Sequence, residues 1–273
     1  MELLLQGITS KSNPKIVRTA KYADKKYRDQ DRVFICEGIK LLEEVILAGA
    51  RIREIYLEES AVARWSDRLT ELISQLPSVE CFSVSKELYS KISTESAPQG
   101  ILAVVEKTYN VIRSSQVEVA SEETVMLFES VRDPGNMGTL IRTAAAFGFD
   151  RLILSADCAD VFNPKVLRGA MGAIFKVRID YCDSFVQEVE YLNRCGRRTL
   201  AALPKEQAMV AGRSHLSSSD CVVIGNEGHG LSEDVIRASS GAIYIPMKEN
   251  TESLNAAIAS SVLMWEIAKS KQN

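Results

Sequence analysis

The sequence is short of the residues that metal and nucleophilic chemistry usually need. It has two histidines, His215 and His229, neither with a partner at metal-ligand spacing. Zinc sites and histidine-based triads are set aside on that ground, and no metal is expected. Its six cysteines, at 36, 81, 158, 182, 195 and 221, contain no C-x-x-C pair. Reduced and mostly buried thiols are the expectation. No apolar run reaches the roughly eighteen residues of a membrane span. The opening MELLLQGITSKSNPK has an acid at position 2 and too short an apolar run for a signal peptide. The chain reads as cytoplasmic. Two cofactor fingerprints are missing as well, G-x-G-x-x-G and G-x-x-x-x-G-K-[ST], which weighs against a dinucleotide-dependent oxidoreductase and a P-loop enzyme.

What remains is an ordinary globular composition, 46% hydrophobic and 25% charged over 273 residues, enough for two domains with real cores. The net charge of −3 hides a cluster: residues 11–28 hold seven cations (Lys11, Lys15, Arg18, Lys21, Lys25, Lys26, Arg28) against Asp24 alone. Clustering matters more for phosphate binding than the total does. Ser12-Asn13-Pro14 starts a helix there, with Ile16, Val17, Ala20, Ala23 and Tyr27 at helical spacing.

Beyond it, strands RVFICEG, IREIYLE, VECFSV and GILAVVEK alternate with helical stretches, which predicts an α/β domain over 1–107. Residues 108–122, TYNVIRSSQVEVASE, lose periodicity and read as a linker. The alternation restarts over 123–273: strand TVMLFES, helix from Gly138 to Phe147, strand RLILS, and so on to a long helix from Leu254. The fold class is α/β throughout.

Three apolar strands run into polar, turn-forming ends: FESVRDPGNMGTLIR, VVIGNEGHGLS and IYIPMKENTESLNAAIA. Ligands of open α/β sheets bind beyond the carboxyl ends of strands, so the three ends predict one composite pocket. Asn136 is a plausible helix cap. Arg142 sits about one turn into the expected helix, where the dipole disfavours a cation. Glu227 is its natural partner for a bidentate pair. Ser253 is a reasonable cap for a last helix rich in small residues.

Together, Asn136-x-Gly138-x-x-x-Arg142, Gly225-x-Glu227-x-x-Gly230, and Ile245-Pro246-Met247 followed by Ser253-Leu254-Asn255 resemble the three ordered motifs of the SpoU/TrmH family. These are S-adenosylmethionine-dependent RNA 2′-O-ribose methyltransferases of the SPOUT superfamily. Residues 9–46 also resemble the N-terminal substrate-binding domain of the ribosomal-RNA branch, through N-P-x-[IV] at Asn13 to Ile16 and F-x-x-E-G at Phe34 to Gly38, and that domain is related to a small ribosomal protein. The resemblance implies a small α/β RNA-binding domain followed by a trefoil-knotted α/β domain that works as a homodimer. It implies S-adenosyl-L-methionine held by Gly225, Ile245, Met247, Leu254 and Asn255. It implies Arg142, Glu227, Asn136, Ser253 and Asn255 in catalysis, and RNA, chiefly ribosomal, held by Lys11, Asn13, Lys15, Arg18, Lys25 and Arg142. Glu249 stands where the family often has glycine after I-P-M-x. A transfer-RNA substrate, or a non-catalytic RNA-binding protein that keeps the fold, are the competing readings; intact polar motifs weigh against the second.

Overall fold

The computed structural model describes residues 4–73, 79–108, 110–114, 116–203, 208–213, 215–248 and 253–271. The chain divides into two compact units. Unit 1 comprises Met1–Thr108 with Phe162–Phe175, and unit 2 comprises Tyr109–Val161 with Lys176–Asn273.

Unit 1 runs β1 (Gln6–Ile8), α1 (Pro14–Lys21), α2 (Lys25–Asp31), β2 (Val33–Glu37), α3 (Ile39–Leu47), β3 (Ile52–Glu58), α4 (Glu59–Ile73), β4 (Glu80–Val84), α5 (Lys86–Ile92) and β5 (Ile101–Glu106). Its sheet order is β1-β4-β3-β5-β2. β5 lies antiparallel to both neighbours. The sequence pattern reads a single helix from Pro14 through Tyr27, but the structure breaks it. α1 ends at Lys21, and Asp24 caps a new helix by accepting from the Lys26 amide. At the other end of the first helix Asn13 caps as expected, with Pro14 in the first turn. The Glu37-Gly38 pair of the F-x-x-E-G pattern is structural: buried Glu37 accepts from the Tyr89 and Ser93 hydroxyls and the Thr94 amide, satisfying a charge that burial alone would penalise.

Unit 2 runs β6 (Val111–Ser114), β7 (Val125–Phe128), α6 (Pro134–Ala146), β8 (Arg151–Ser155), then β9 (Arg178–Cys182), α8 (Phe185–Arg194), β10 (Thr199–Ala202), β11 (Met209–Val210), β12 (Cys221–Ile224), α9 (Glu233–Ala238), β13 (Gly241–Tyr244) and α10 (Ala256–Ser270). The helix between β8 and β9, α7 (Pro164–Ala170), clusters with unit 1. All eight strands are parallel, in the order β11-β13-β10-β12-β7-β8-β9-β6. Residues 111–114, read from sequence as linker, are the edge strand β6 beside β9. Their alternation is too short to register as a period, and pairing supplies what the pattern lacks. The chain departs from β7 to β8 on one side and returns to β12 on the other, so the switch point falls between β7 and β12. Five cysteines are buried as expected, and Cys195 is exposed.

Candidate active site

Asp133-Pro134-Gly135 starts α6 four residues earlier than the sequence reading placed it. Asp133, not Asn136, is the cap, accepting from the Asn136 amide at 2.8 Å. Pro134 fits the first turn because its missing N–H is one that a helix leaves unpaired anyway. Arg142 is therefore more than two turns into the helix and clear of the dipole's N-terminal end. It points away from the buried face formed by Met137, Gly138, Leu140, Ile141 and Ala144.

After β12 the chain makes a tight loop. Asn226 and Gly230 exchange backbone hydrogen bonds at 3.0 and 2.9 Å. The Asn226 side chain adds three more bonds, accepting from the Gly228 and His229 amides and donating to the Ser130 carbonyl at 2.8 Å. Gly225 sits against this turn: a Cβ there would lie 2.3 Å from the Gly230 carbonyl carbon, so no larger residue fits. Glu129, at the end of β7, holds the next helix by accepting from the amide and hydroxyl of Ser232, the α9 cap.

Asn255, not Ser253, caps α10. Its side-chain oxygen accepts from the Ala257 and Ile258 amides. With the oxygen so committed, its NH2 donates to the Asn136 side-chain oxygen at 3.0 Å. Asn136 in turn donates to Glu227 Oε1 at 2.6 Å. The two amides are thus oriented by their surroundings, and the chain Asn255–Asn136–Glu227 ties the starts of α10 and α6 to the glycine loop. Further along the same two helices, Ser261 faces Thr143 and Trp265 lies 5.6 Å from Phe147 between ring centroids.

The expected Arg142–Glu227 pair does not form. Glu227 is engaged by Asn136, and Arg142 has no hydrogen bond or ion pair among the described residues. Both residue types favour such a pair, but helix register decides it: Asn136, in the first turn, is the residue α6 presents to Glu227.

A cavity of about 410 Å³ opens at the carboxyl ends of β12 and β13, lined by Gly225, Glu227, Ile245, Met247, Ser253 and Leu254 among others. Its size and largely apolar walls suit a small-molecule ligand. Six of the residues named from sequence meet here. Asn136 and Asn255 join them through Glu227, while Arg142 stands outside. Glu249 lies outside the described residues. Sequence reasoning missed Asn226, Glu129 and His229, which also lines the cavity; the two hydrogen-bond anchors carry no spacing signal of their own.

In unit 1 the expected RNA contacts are largely engaged. Lys11 meets Glu87, Lys15 meets Glu54 and Glu80 at 2.9 and 2.7 Å, Arg18 meets Asp31 at 2.9 Å, and Lys25 meets Asp29 at 2.7 Å. Burial pulls the Lys15 ammonium down, but the hydrogen bonds it donates to Glu80 and Glu54 carry it above its ordinary value. The Arg18 guanidinium holds the Asp31 carboxyl below the usual carboxylate range. Asn13 is occupied in capping α1.

Residues 123–265 match the SpoU rRNA Methylase family, and residues 13–103 match the MRM3-like substrate binding domain. The chain is 29% identical over 268 residues to the 23S rRNA (guanosine(2553)-2′-O)-methyltransferase RlmP of Bacillus subtilis, covering 96% of this chain and 99% of the relative. A solved AdoMet-bound rRNA methyltransferase from Sinorhizobium meliloti superposes with a TM-score of 0.81 at 25% identity, covering 98% of this chain and 99% of that one. A putative RNA methyltransferase of the TrmH family from Porphyromonas gingivalis gives 0.77 at 27% identity, over 94% and 98%. The chain belongs to the SpoU rRNA methylase family, and unit 2 has that family's α/β-knot fold.

Proposed function

We propose that the chain transfers the methyl group of S-adenosylmethionine to a ribose 2′-hydroxyl of ribosomal RNA. Residues 123–273 would carry the chemistry and residues 1–107 the RNA recognition. The observation that carries this reading is the cavity at the β12–β13 ends, with the Asn255–Asn136–Glu227 chain at its mouth.

The residues fit the methyl donor. Gly225 lines the pocket and, lacking a Cβ, lets the Gly230 backbone close against it, Ile245 and Leu254 offer apolar walls, and Glu227 and Ser253 offer polar groups at the rim. When bound, S-adenosylmethionine supplies an electrophilic methyl group; everything else falls to the chain. Glu227, braced by Asn136, shapes the pocket mouth. Arg142, exposed and without a carboxylate partner among the described residues, grips RNA phosphate and favours the 2′-oxygen as negative charge develops on it. A guanidinium keeps its proton in proteins, so Arg142 acts as a charge and not as the proton acceptor. Holding the ribose oxygen in line with the methyl carbon supplies much of the acceleration, since positioning is worth about 7–11 kcal/mol at best.

The active form in this reading is a homodimer joined through unit 2. Ile258 and Trp265, seven residues apart on α10, are 55% and 45% exposed, more apolar surface than an isolated helix face needs. The compartment proposed is the cytoplasm, in keeping with six free thiols. No described helix is long and apolar enough to cross a membrane.

The test uses tritiated S-adenosylmethionine with deproteinised ribosomal RNA and, separately, transfer RNA, each from cells that lack this chain. Label in ribosomal RNA, with one phosphodiester newly resistant to alkaline cleavage, is the expected result, because a methylated 2′-oxygen cannot attack its phosphate. Label only in transfer RNA overturns the substrate, and label in neither overturns the activity. Sedimentation of the full chain and its Trp265→Glu variant tests the dimer: the variant is expected to sediment as a monomer.

A further inference from the structure

The cations of residues 11–28 differ in what faces them. Lys11, Lys15, Arg18 and Lys25 each lie against a carboxylate. Arg28 is buried and donates to the Tyr22 and Ala23 carbonyls at 2.7 and 2.8 Å. Any of the first four that turned to an RNA phosphate would leave an acid behind to repel it. Two cations escape this, Lys21 and Lys26. Both are exposed and neither has an acid partner among the described residues. Asp24, between them in sequence, is committed to capping α2 through the Lys26 amide.

The two are also brought to one place. The Lys21 ammonium lies 5.4 Å and the Lys26 ammonium 5.8 Å from the centroid of the Tyr27 ring. Tyr27 itself packs on the buried cluster that includes Ile16 and Tyr22, so the ring is anchored. An aromatic face attracts ammonium groups, and here it gathers two of them at the corner where α1 ends and α2 begins. A pair of positive charges held in place before binding loses less freedom on meeting a ligand than two loose lysines would.

We infer that Lys21 and Lys26, set on Tyr27 at the α1–α2 corner, form the contact through which unit 1 grips the phosphodiester backbone of RNA. The inference rests on the RNA-methyltransferase reading above. Two ammoniums make no pattern of donors and acceptors that would read a base, so the contact supplies affinity and leaves sequence choice to other parts of the molecule. The carboxylate-bound cations of the same segment stay with their acids.

The experiment measures binding of the full chain to deproteinised ribosomal RNA across a salt series. Wild type is compared with Lys21→Ala/Lys26→Ala and with Lys25→Ala, which leaves Asp29 to Lys107. The double variant is expected to lose affinity on the order of tenfold at low salt, with the log–log salt slope shallower by roughly 1.5 to 2, as for two phosphate contacts. Lys25→Ala is expected to stay within about twofold of wild type. Melting temperature and S-adenosylmethionine binding, measured alongside, should match wild type in both variants. A double variant that keeps the wild-type affinity and salt slope overturns the inference, as does a Lys25→Ala loss equal to that of the double variant. If the wild type itself neither binds nor methylates RNA, the reading beneath the inference fails, and the inference with it.

Discussion

In residues 11–28 of unit 1 four of seven cations lie against carboxylates, whereas α6 of unit 2 carries a single arginine, Arg142, with no acid beside it among the described residues. The first region is conspicuous in composition and largely neutralised in space. The second is inconspicuous in composition and leaves its one charge available. An exposed ion pair contributes little to stability, a median of about 0–1 kcal/mol, but it decides whether a cation is free to meet a phosphate. Availability, then, is a property of partners and not of counts.

The sharpest way to break this contrast is Arg142→Ala. Methyl transfer to ribosomal RNA should fall by about 10²–10³, the usual cost of removing one donor aimed at developing charge. Thermal stability should move by no more than about 0.5 kcal/mol, because an exposed residue with no partner among the described residues is being removed. A variant that transfers methyl at the wild-type rate removes Arg142 from the chemistry. Next in size is Gly225→Ala. The Cβ must displace the Gly230 backbone, and overpacking of this kind costs about 1–3 kcal/mol. Calorimetry should show S-adenosylmethionine binding weakened at least tenfold, and wild-type affinity would mean that the loop is not the donor's cradle.

Asn136→Asp tests the bracing of Glu227 by placing a carboxylate where the 2.6 Å hydrogen bond now lies. Like charges at that distance should weaken donor binding several-fold at pH 7 and recover part of it as the pH falls toward about 4–5, where carboxylates begin to protonate. A pH-independent loss would point to shape alone. The smallest effect belongs to Asp157. Burial pushes its carboxyl up, but hydrogen bonds from Ser155, Arg132 and Ser130 outweigh this and bring it down to about 2. Its folded-state value is depressed, so its contribution is present above the unfolded carboxyl's range and lost as the pH falls through about 4 toward 2. The group is partly exposed, which keeps that contribution under about 1 kcal/mol. Acid unfolding of Asp157→Asn should therefore show a slightly flatter limb below pH 4 than wild type, and an identical limb would refute the assignment.

Much of unit 2's architecture is legible in the sequence because buried parallel strands such as Val125–Phe128 and Cys221–Ile224 are unbroken apolar runs ending in glycine or polar turns. The place of the cavity was legible for the same reason, at the polar ends of such strands, while Gly225, Ile245 and Leu254 as its lining came from the resemblance to the SpoU/TrmH motifs. The hydrogen-bond pairings were not. Glu227 pairs with Asn136 because α6 begins at Pro134, and the Pro-Gly dipeptide reads as a turn as readily as a first helical turn. Asn255 was recognisable as polar, yet its double task of capping α10 and bracing Asn136 appears only when two helix starts meet. In residues 11–28 the acids that neutralise the cations come from as far along the chain as Glu80 and Glu87, beyond the reach of any local window.

Residues 162–175 have a consequence for how such proteins can exchange parts. They lie between β8 and β9 along the chain, yet they cluster with unit 1, where Phe162 stacks on buried Phe34 at 5.1 Å and Phe175 lies 6.3 Å away. Gly172 there comes so near Glu44 that an added Cβ would meet its side chain at 2.4 Å. A single crossover near residue 108, joining this N-terminal half to the C-terminal half of a diverged relative, would hand unit 1 a foreign α7 and foreign aromatics against Phe34. Recombination between relatives is therefore constrained to two coordinated exchanges, and the N-terminal half and this short insert are expected to be inherited as a unit.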